Sequence, residues 1–94
     1  MLKIAEYNKK TGKKIELKEL EKFGYDFIEK CIIPKGVFGK EEVDCYVKPD
    51  KRGEYHSLCT FIKCTYSREI IGPIYDLDNL YDLIEAGYVE KVDD

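Results

Sequence analysis

Residues 42–53 read Glu-Val-Asp-Cys-Tyr-Val-Lys-Pro-Asp-Lys-Arg-Gly, and this stretch decides the fold. In its first seven residues the apolar side chains of Val43, Cys45 and Val47 alternate with more polar ones, which is the period of a strand. The five residues that follow combine proline, aspartate and glycine, a composition typical of a turn. We therefore expect the long β-like run at 54–66 to return antiparallel to the first strand as a hairpin.

Further extended segments are predicted on both sides of this hairpin, at 2–7, 25–33, 68–71 and 88–92. In the second of these, Phe27, Cys31 and Ile33 share one parity while Ile28 and Ile32 share the other. Apolar residues on both parities predict a strand that is partly covered on both faces.

Two short helices are predicted, one near each end of the chain. The first spans about two turns, with Leu17, Leu20 and Phe23 on one side and Gly24 as a left-handed C-terminal cap. The second covers 76–87, with an Asx N-cap, acidic residues in its first turn and a closing glycine; its apolar stripe comprises Leu77, Leu80, Leu83 and Ile84. The chain is thus predicted to be a single α+β domain, residues 1–94, with one antiparallel sheet of five or six strands.

Composition and charge limit the possible locations and partners. No apolar run approaches the roughly 20 residues that cross a bilayer, and residues 1–6 lack the apolar core of a signal peptide. We therefore expect a cytoplasmic protein that does not bind membranes. The net charge of −3 argues against general nucleic-acid binding, which depends on a basic surface.

The four cysteines are interpreted as reduced thiols, because three of them fall in β-like runs where an aliphatic residue would serve equally well. A disulfide and zinc binding through His56 are the alternatives, although the spacing of these cysteines is wide for a zinc knuckle. A catalytic Cys–His pair would also need His56, the chain's single histidine. Their positions are Cys31, Cys45, Cys59 and Cys64.

Two further motifs have simpler explanations. Asp50, Glu54 and His56 resemble part of a nuclease metal site, but the turn signal at 49–53 accounts for their spacing. The segment 36–40 has the glycines and lysine of a phosphate-binding loop without its full spacing, and a hairpin connection is the preferred interpretation. We therefore predict no catalytic residue, no metal, no cofactor and no enzymatic activity.

Tyrosine is abundant, with eight copies and no tryptophan. Tyrosine favours binding surfaces because a rigid ring and a hydroxyl act together in one contact, although β-propensity also explains its use in strands. The candidate binding surface combines four tyrosines with the acidic side of the second helix: Tyr46, Tyr55, Tyr66, Tyr81, Asp78, Asp82 and Glu85.

The segments 15–25 and 80–91 each place a short helix before a glycine and a tyrosine, Gly24-Tyr25 and Gly87-Tyr88. In these segments the chain resembles small uncharacterised accessory proteins of phages and prophages of low-GC Gram-positive bacteria. The resemblance implies a mobile-element context and no particular activity or site residue. The leading hypothesis is a non-enzymatic module that binds and modulates or inhibits a host protein, such as a defence component. The alternative is a small-molecule or nucleotide-binding domain, which could be an oligomer.

Overall fold

The computed structural model describes residues 1–35, 37–56, 58–72 and 78–92, and the side chains of residues 34, 35, 78 and 79 lie outside that description. The fold is α+β, and every strand pair in the described part is antiparallel. In chain order the elements are β1 (Leu2–Ile4), a 3₁₀ helix (Leu17–Phe23), β2 (Asp26–Lys35), β3 (Gly39–Lys48), β4 (Thr60–Lys63), β5 (Ile70–Ile71), α1 (Asp78–Glu85) and β6 (Val89–Lys91). None of the helices within these ranges has the length and apolar character needed to cross a bilayer.

The strands form two sheets, so the predicted single sheet is wrong. Four strands pair in the order β2-β3-β4-β5, and β1 pairs with β6 separately. The sheets meet at one isolated bridge between Lys3 and Glu69, beside a 2.9 Å hydrogen bond from the Ile4 N–H to the Arg68 carbonyl. Arg68 has a φ of 45°, which interrupts the extended backbone just before the two-residue β5. The two sheets also pack through side chains, because Ile4 of β1 lies in the same buried cluster as Tyr46 and Ile62 of the four-stranded sheet.

The hairpin predicted around residues 42–53 is present, with a shorter second strand. Cys45 pairs with Lys63 and Lys48 pairs with Thr60, but the run expected at 54–66 is a strand only at 60–63. Asp50 organises the intervening turn, because its Oδ1 accepts the N–H groups of residues 52 and 54 at 2.8 and 2.9 Å. Since these bonds hold the backbone in a turn, the strand begins later than its composition suggested.

A bulge in β2 changes which of its side chains face the core. Ile28 pairs with Cys45 and Cys31 pairs with Val43, so two residues of β2 stand opposite the single Asp44. The second of the two, Lys30, has a φ of 53°, and its N–H donates to Asp44 Oδ1 at 3.0 Å. A bulge shifts the alternation by one residue. The parities predicted for β2 are therefore wrong beyond this point.

After the shift, Ile28, Cys31 and Ile33 face one side of the sheet, while Phe27 and Ile32 face the other. Ile33 has no exposed surface, whereas Ile32 is 61% exposed.

The predicted first helix is a 3₁₀ helix. Its apolar residues recur every third position, which matches three residues per turn better than the 3.6 of an α-helix. Gly24 ends it with a φ of 87°, as the predicted left-handed cap requires. In α1, Leu80 and Leu83 are buried, but Ile84 is 44% exposed and does not belong to the apolar stripe. Leu77, the remaining member of that stripe, lies outside the described residues, as does the expected N-cap at 76.

The four-stranded sheet is covered on both faces. One face, with Tyr46 and Ile62, joins a core contributed also by β1, the 3₁₀ helix and α1; the buried partners are Ile4, Ala5, Ile15, Leu20, Tyr25, Leu80 and Leu83. The opposite face forms a second buried cluster of Ile33, Cys45, Val47, Cys59 and Phe61. The mixed apolar parity of β2 predicted that both faces of this strand are partly covered, but on its second face Phe27 and Ile32 are 50% and 61% exposed.

Candidate binding surface

The predicted tyrosines have different environments. Tyr46 is only 7% exposed and packs in the core, so its predicted exposure is wrong. Its parity was read correctly, but the face it lies on is also covered, and burial raises the pKa of its hydroxyl. Tyr55 is half exposed, and its hydroxyl donates a 2.6 Å hydrogen bond to Asp26, which raises the pKa of Tyr55. Tyr66 is fully exposed, and Tyr81 is exposed on α1.

The predicted acidic residues lie on α1. Asp82 and Glu85 are exposed beside Tyr81, while the side chain of Asp78 lies outside the described part. Tyr55 precedes β4 and Tyr66 follows it, so these two rings stand at opposite ends of that strand. Tyr81 and the two acids therefore share α1, whereas Tyr55 and Tyr66 lie in the loops that flank β4.

His56 is held by the turn at 49–53. Its Nδ1 accepts the N–H of Leu58 at 3.2 Å, so the proton lies on Nε2, which is 3.2 Å from the Asp50 carboxylate. The Cys59 thiol lies 3.7 Å from the Glu54 carbonyl, to which it donates. Both nitrogens of the imidazole are thus occupied by groups other than a thiol.

All four cysteines are free thiols. Burial, together with a hydrogen bond between the Cys45 and Cys31 thiols, raises the pKa of Cys45 strongly. Burial also raises the pKa of Cys64, and the nearby Asp44 carboxylate adds to that effect. Both thiols are therefore protonated at neutral pH, a state in which they are poor nucleophiles. Across the described ranges, no three or more His, Cys, Asp or Glu side chains are grouped to hold a metal ion.

The clearest concave feature is a cleft of about 530 Å³ where the two sheets meet. Lys3 and Glu6 line it from β1 and the residues after it, and Leu17 lines it from the 3₁₀ helix. The turn between β4 and β5 contributes residues 64–66 and Arg68. The cleft therefore combines two cations, one carboxylate, apolar surface and the exposed Tyr66 ring, a combination that the sequence did not indicate because its residues come from distant segments.

Arg68 is the best-fixed side chain of this cleft. Its Nη1 donates to the carbonyls of Ala5 and Ile15, at 3.3 and 3.0 Å. These bonds use one nitrogen of the guanidinium, leaving Nε and Nη2 without an acceptor among the described residues. A fixed guanidinium of this kind suits recognition of an anion.

The end of the β2–β3 hairpin exposes two adjacent apolar side chains. Lys35 pairs with Gly39, so residues 37 and 38 of the segment considered as a phosphate-binding loop lie in a hairpin connection, while residue 36 lies outside the described part. At this end Phe38 is 100% exposed and Val37 is 89% exposed. Lys40 follows them and is exposed as well. Two adjacent apolar side chains are therefore offered to solvent, next to a positive charge.

Comparison of the chain with protein-family models, with curated proteins and with solved structures finds no match. The function is therefore argued from the described residues.

Proposed function

We propose that the chain is a non-enzymatic interaction module that binds a protein partner through the end of its β2–β3 hairpin. The exposure of Phe38 and Val37 carries this proposal. Burying an aromatic or aliphatic side chain of this size contributes roughly 1.5–3 kcal/mol each. A partner pocket that buried both side chains would therefore stabilise the complex, because their apolar surface would be removed from water.

The charges around the hairpin indicate the kind of partner. Lys40 lies beside the apolar pair and favours a pocket with a carboxylate at its rim. Farther along the same hairpin, Glu29, Glu42 and Asp44 are exposed, and they would repel a nucleic-acid backbone or an anionic lipid surface. An apolar protein pocket with an acidic rim fits both observations.

The biological setting of this proposal follows from the resemblance to phage and prophage accessory proteins. Such a module would bind a host protein and modulate or inhibit it, a defence component being the leading candidate. Short accessory proteins of this kind act through binding, which agrees with a surface feature built from apolar and charged side chains.

Affinity capture from a host lysate tests the proposal with two matched variants. We expect the wild-type chain and Tyr81→Ala to retain the same protein, and Phe38→Ala to lose at least 90% of it, since a central aromatic contact dominates binding. Tyr81 is an exposed aromatic residue distant in sequence from the hairpin, so its variant controls for a general loss of nonspecific hydrophobic binding.

Two results would overturn the hairpin proposal. Loss of capture in Tyr81→Ala with retention in Phe38→Ala would place the binding surface on α1, beside Asp82 and Glu85. Equal capture by all three chains, or capture of nothing across several salt concentrations, would remove the basis for a hairpin-mediated partner.

The cleft favours a second candidate function, a small-molecule or nucleotide-binding domain. Its volume of about 530 Å³ lies within the usual range of ligand pockets, about 300–1,000 Å³. This candidate uses a different part of the molecule from Phe38, so the two functions are tested independently.

A further inference from the structure

We infer that the cleft between the two sheets binds a small planar ligand carrying an anionic group, of the class of nucleoside monophosphates. The inference rests on the second candidate function and names the ligand class for it. It depends on three features of the cleft: its cationic side chains, an exposed aromatic ring and a net positive charge.

The cationic groups come from Arg68 and Lys3. Because Nη1 of Arg68 is already bonded to two backbone carbonyls, the orientation of the guanidinium is set before any ligand arrives. Pre-organisation of this kind lowers the cost of ordering side chains on binding. Lys3 is only loosely paired, with its Nζ 3.9 Å from Glu90, so its ammonium can turn toward a phosphate.

The planar part of the ligand is matched by Tyr66. Tyr66 lines the cleft between Thr65 and Arg68 in the sequence, and its ring is fully exposed. A base can stack on an exposed aromatic ring whatever its sequence context, because every base has a π-face. The Thr65 hydroxyl and the Glu6 carboxylate, which also line the cleft, supply acceptors for hydroxyl or amino groups of the ligand.

The side chains that line the cleft carry a net positive charge, because Lys3 and Arg68 outweigh Glu6, in a chain whose net charge is −3. A local positive field attracts a compact anion. A monophosphate joined to a planar base has both the required charge and the required ring.

Titration of the full ¹⁵N-labelled chain with adenosine monophosphate, adenosine and inorganic phosphate tests the inference by NMR. We expect the monophosphate to shift the amide signals of Lys3, Tyr66 and Arg68 while those of Val37 and Phe38 stay unchanged. We also expect it to bind at least tenfold more tightly than adenosine or phosphate alone, because both halves of the ligand contribute. Tyr66→Ala should weaken binding about tenfold, and Lys3→Gln should weaken it at low salt, whereas Tyr81→Ala should not change it.

The possible failures separate the two levels of the proposal. Equal affinity for adenosine and its monophosphate would overturn the anionic ligand class but keep a small-molecule site in the cleft. No shift at millimolar concentration of any of the three ligands would overturn the inference together with the second candidate function. An acidic peptide is titrated in parallel, and shifts caused by that peptide alone would overturn the inference and reassign the cleft to a protein partner.

Discussion

At the scale of single residues, Lys63 is the buried ionisable group with the most partners. Its ammonium lies 2.8 Å from Glu41 and 3.4 Å from Glu69, while only 11% of its side chain is exposed. The hydrogen bond that Lys63 donates to Glu41 is the largest cause that raises the pKa of Lys63 above its usual 10.5, against the opposing effect of burial. Because Glu41 lies on β3 and Glu69 precedes β5, this ion pair ties three neighbouring strands together.

The raised pKa predicts how stability depends on alkaline pH. A lysine that holds its proton more tightly when folded contributes its full stabilisation below about pH 10.5, and that contribution is lost as the pH rises through the folded-state pKa. We expect urea denaturation midpoints of the wild type to fall above pH 10.5. Lys63→Met should lower the free energy of unfolding at pH 7 by about 1–3 kcal/mol, and it should show a smaller alkaline decrease.

Lys3→Met is the matched control for this measurement. The Lys3–Glu90 pair is exposed and long, so its removal should change stability by less than about 0.5 kcal/mol at neutral pH. An alkaline decrease of the same size in Lys63→Met and in the wild type would contradict the role assigned to Lys63.

At the scale of single elements, the bulge in β2 separates two neighbouring isoleucines. Ile32 and Ile33 are identical in type and adjacent in sequence, yet one is mostly exposed and the other is fully buried. The sequence alone assigned them to opposite faces but could not decide which face each takes relative to Ile28, because a bulge is not visible in an apolar pattern. The residue type at the bulge gave little indication of it, because lysine rarely adopts the positive φ that Lys30 has there.

Alanine substitution at these two positions measures the effect of the bulge directly. Ile33→Ala should destabilise the protein by about 2–4 kcal/mol, because it removes a fully buried side chain and leaves a cavity. Ile32→Ala should cost less than about 1 kcal/mol, because most of that side chain is already in contact with water. Chemical denaturation of both variants checks the prediction, and a larger loss for Ile32→Ala would mean that the register shift is absent.

The bulge also protects the free edge of the four-stranded sheet. β2 is the outermost strand on its side and is ten residues long, so its edge could pair with another chain. A bulge, the charged Lys30 and a proline at position 34 all disfavour such pairing.

At the scale of the whole molecule, Arg68 holds the two sheets together. Its carbonyl accepts the Ile4 N–H, and its side chain bonds the carbonyls of Ala5 and Ile15. Its φ of 45° is unfavourable for a residue with a Cβ by roughly 1–2 kcal/mol. The hydrogen bonds of its side chain offset this strain. Mutation should therefore separate the destabilising contribution of the backbone from the stabilising contribution of the side chain.

Two variants at position 68 separate these contributions. Arg68→Ala loses the side-chain bonds and keeps the strain, and should destabilise by about 1–3 kcal/mol. Arg68→Gly loses the same bonds but relieves the strain, so we expect it to be more stable than Arg68→Ala by about 1 kcal/mol, although glycine is ordinarily the less stable choice. Thermal denaturation compares the stabilities of the two variants. If Arg68→Ala were as stable as Arg68→Gly, or more stable, the backbone at position 68 would not be strained.

Much of the fold could be predicted from the sequence, and the candidate sites could not. The hairpin at 42–53 and the glycine cap at position 24 depend on local patterns, which is why they were recovered. Tyr46 shows the limit, because its parity was evident but the second buried face was not. The cleft was missed because Lys3, Leu17 and Arg68 come together only through tertiary contacts, which a pattern read along the chain does not report.

The pairing of β1 with β6 has a consequence for the order of folding. Ile4 and Val89 are neighbours in that sheet although they lie near opposite ends of the chain, whereas β2 and β3 are joined by a tight connection. Closing a long loop costs more entropy than closing a short one, and distant pairings slow folding. The β2–β3 hairpin should therefore form early and the β1–β6 pair late, so the cleft, which β1 lines, is completed only in the last stage of folding.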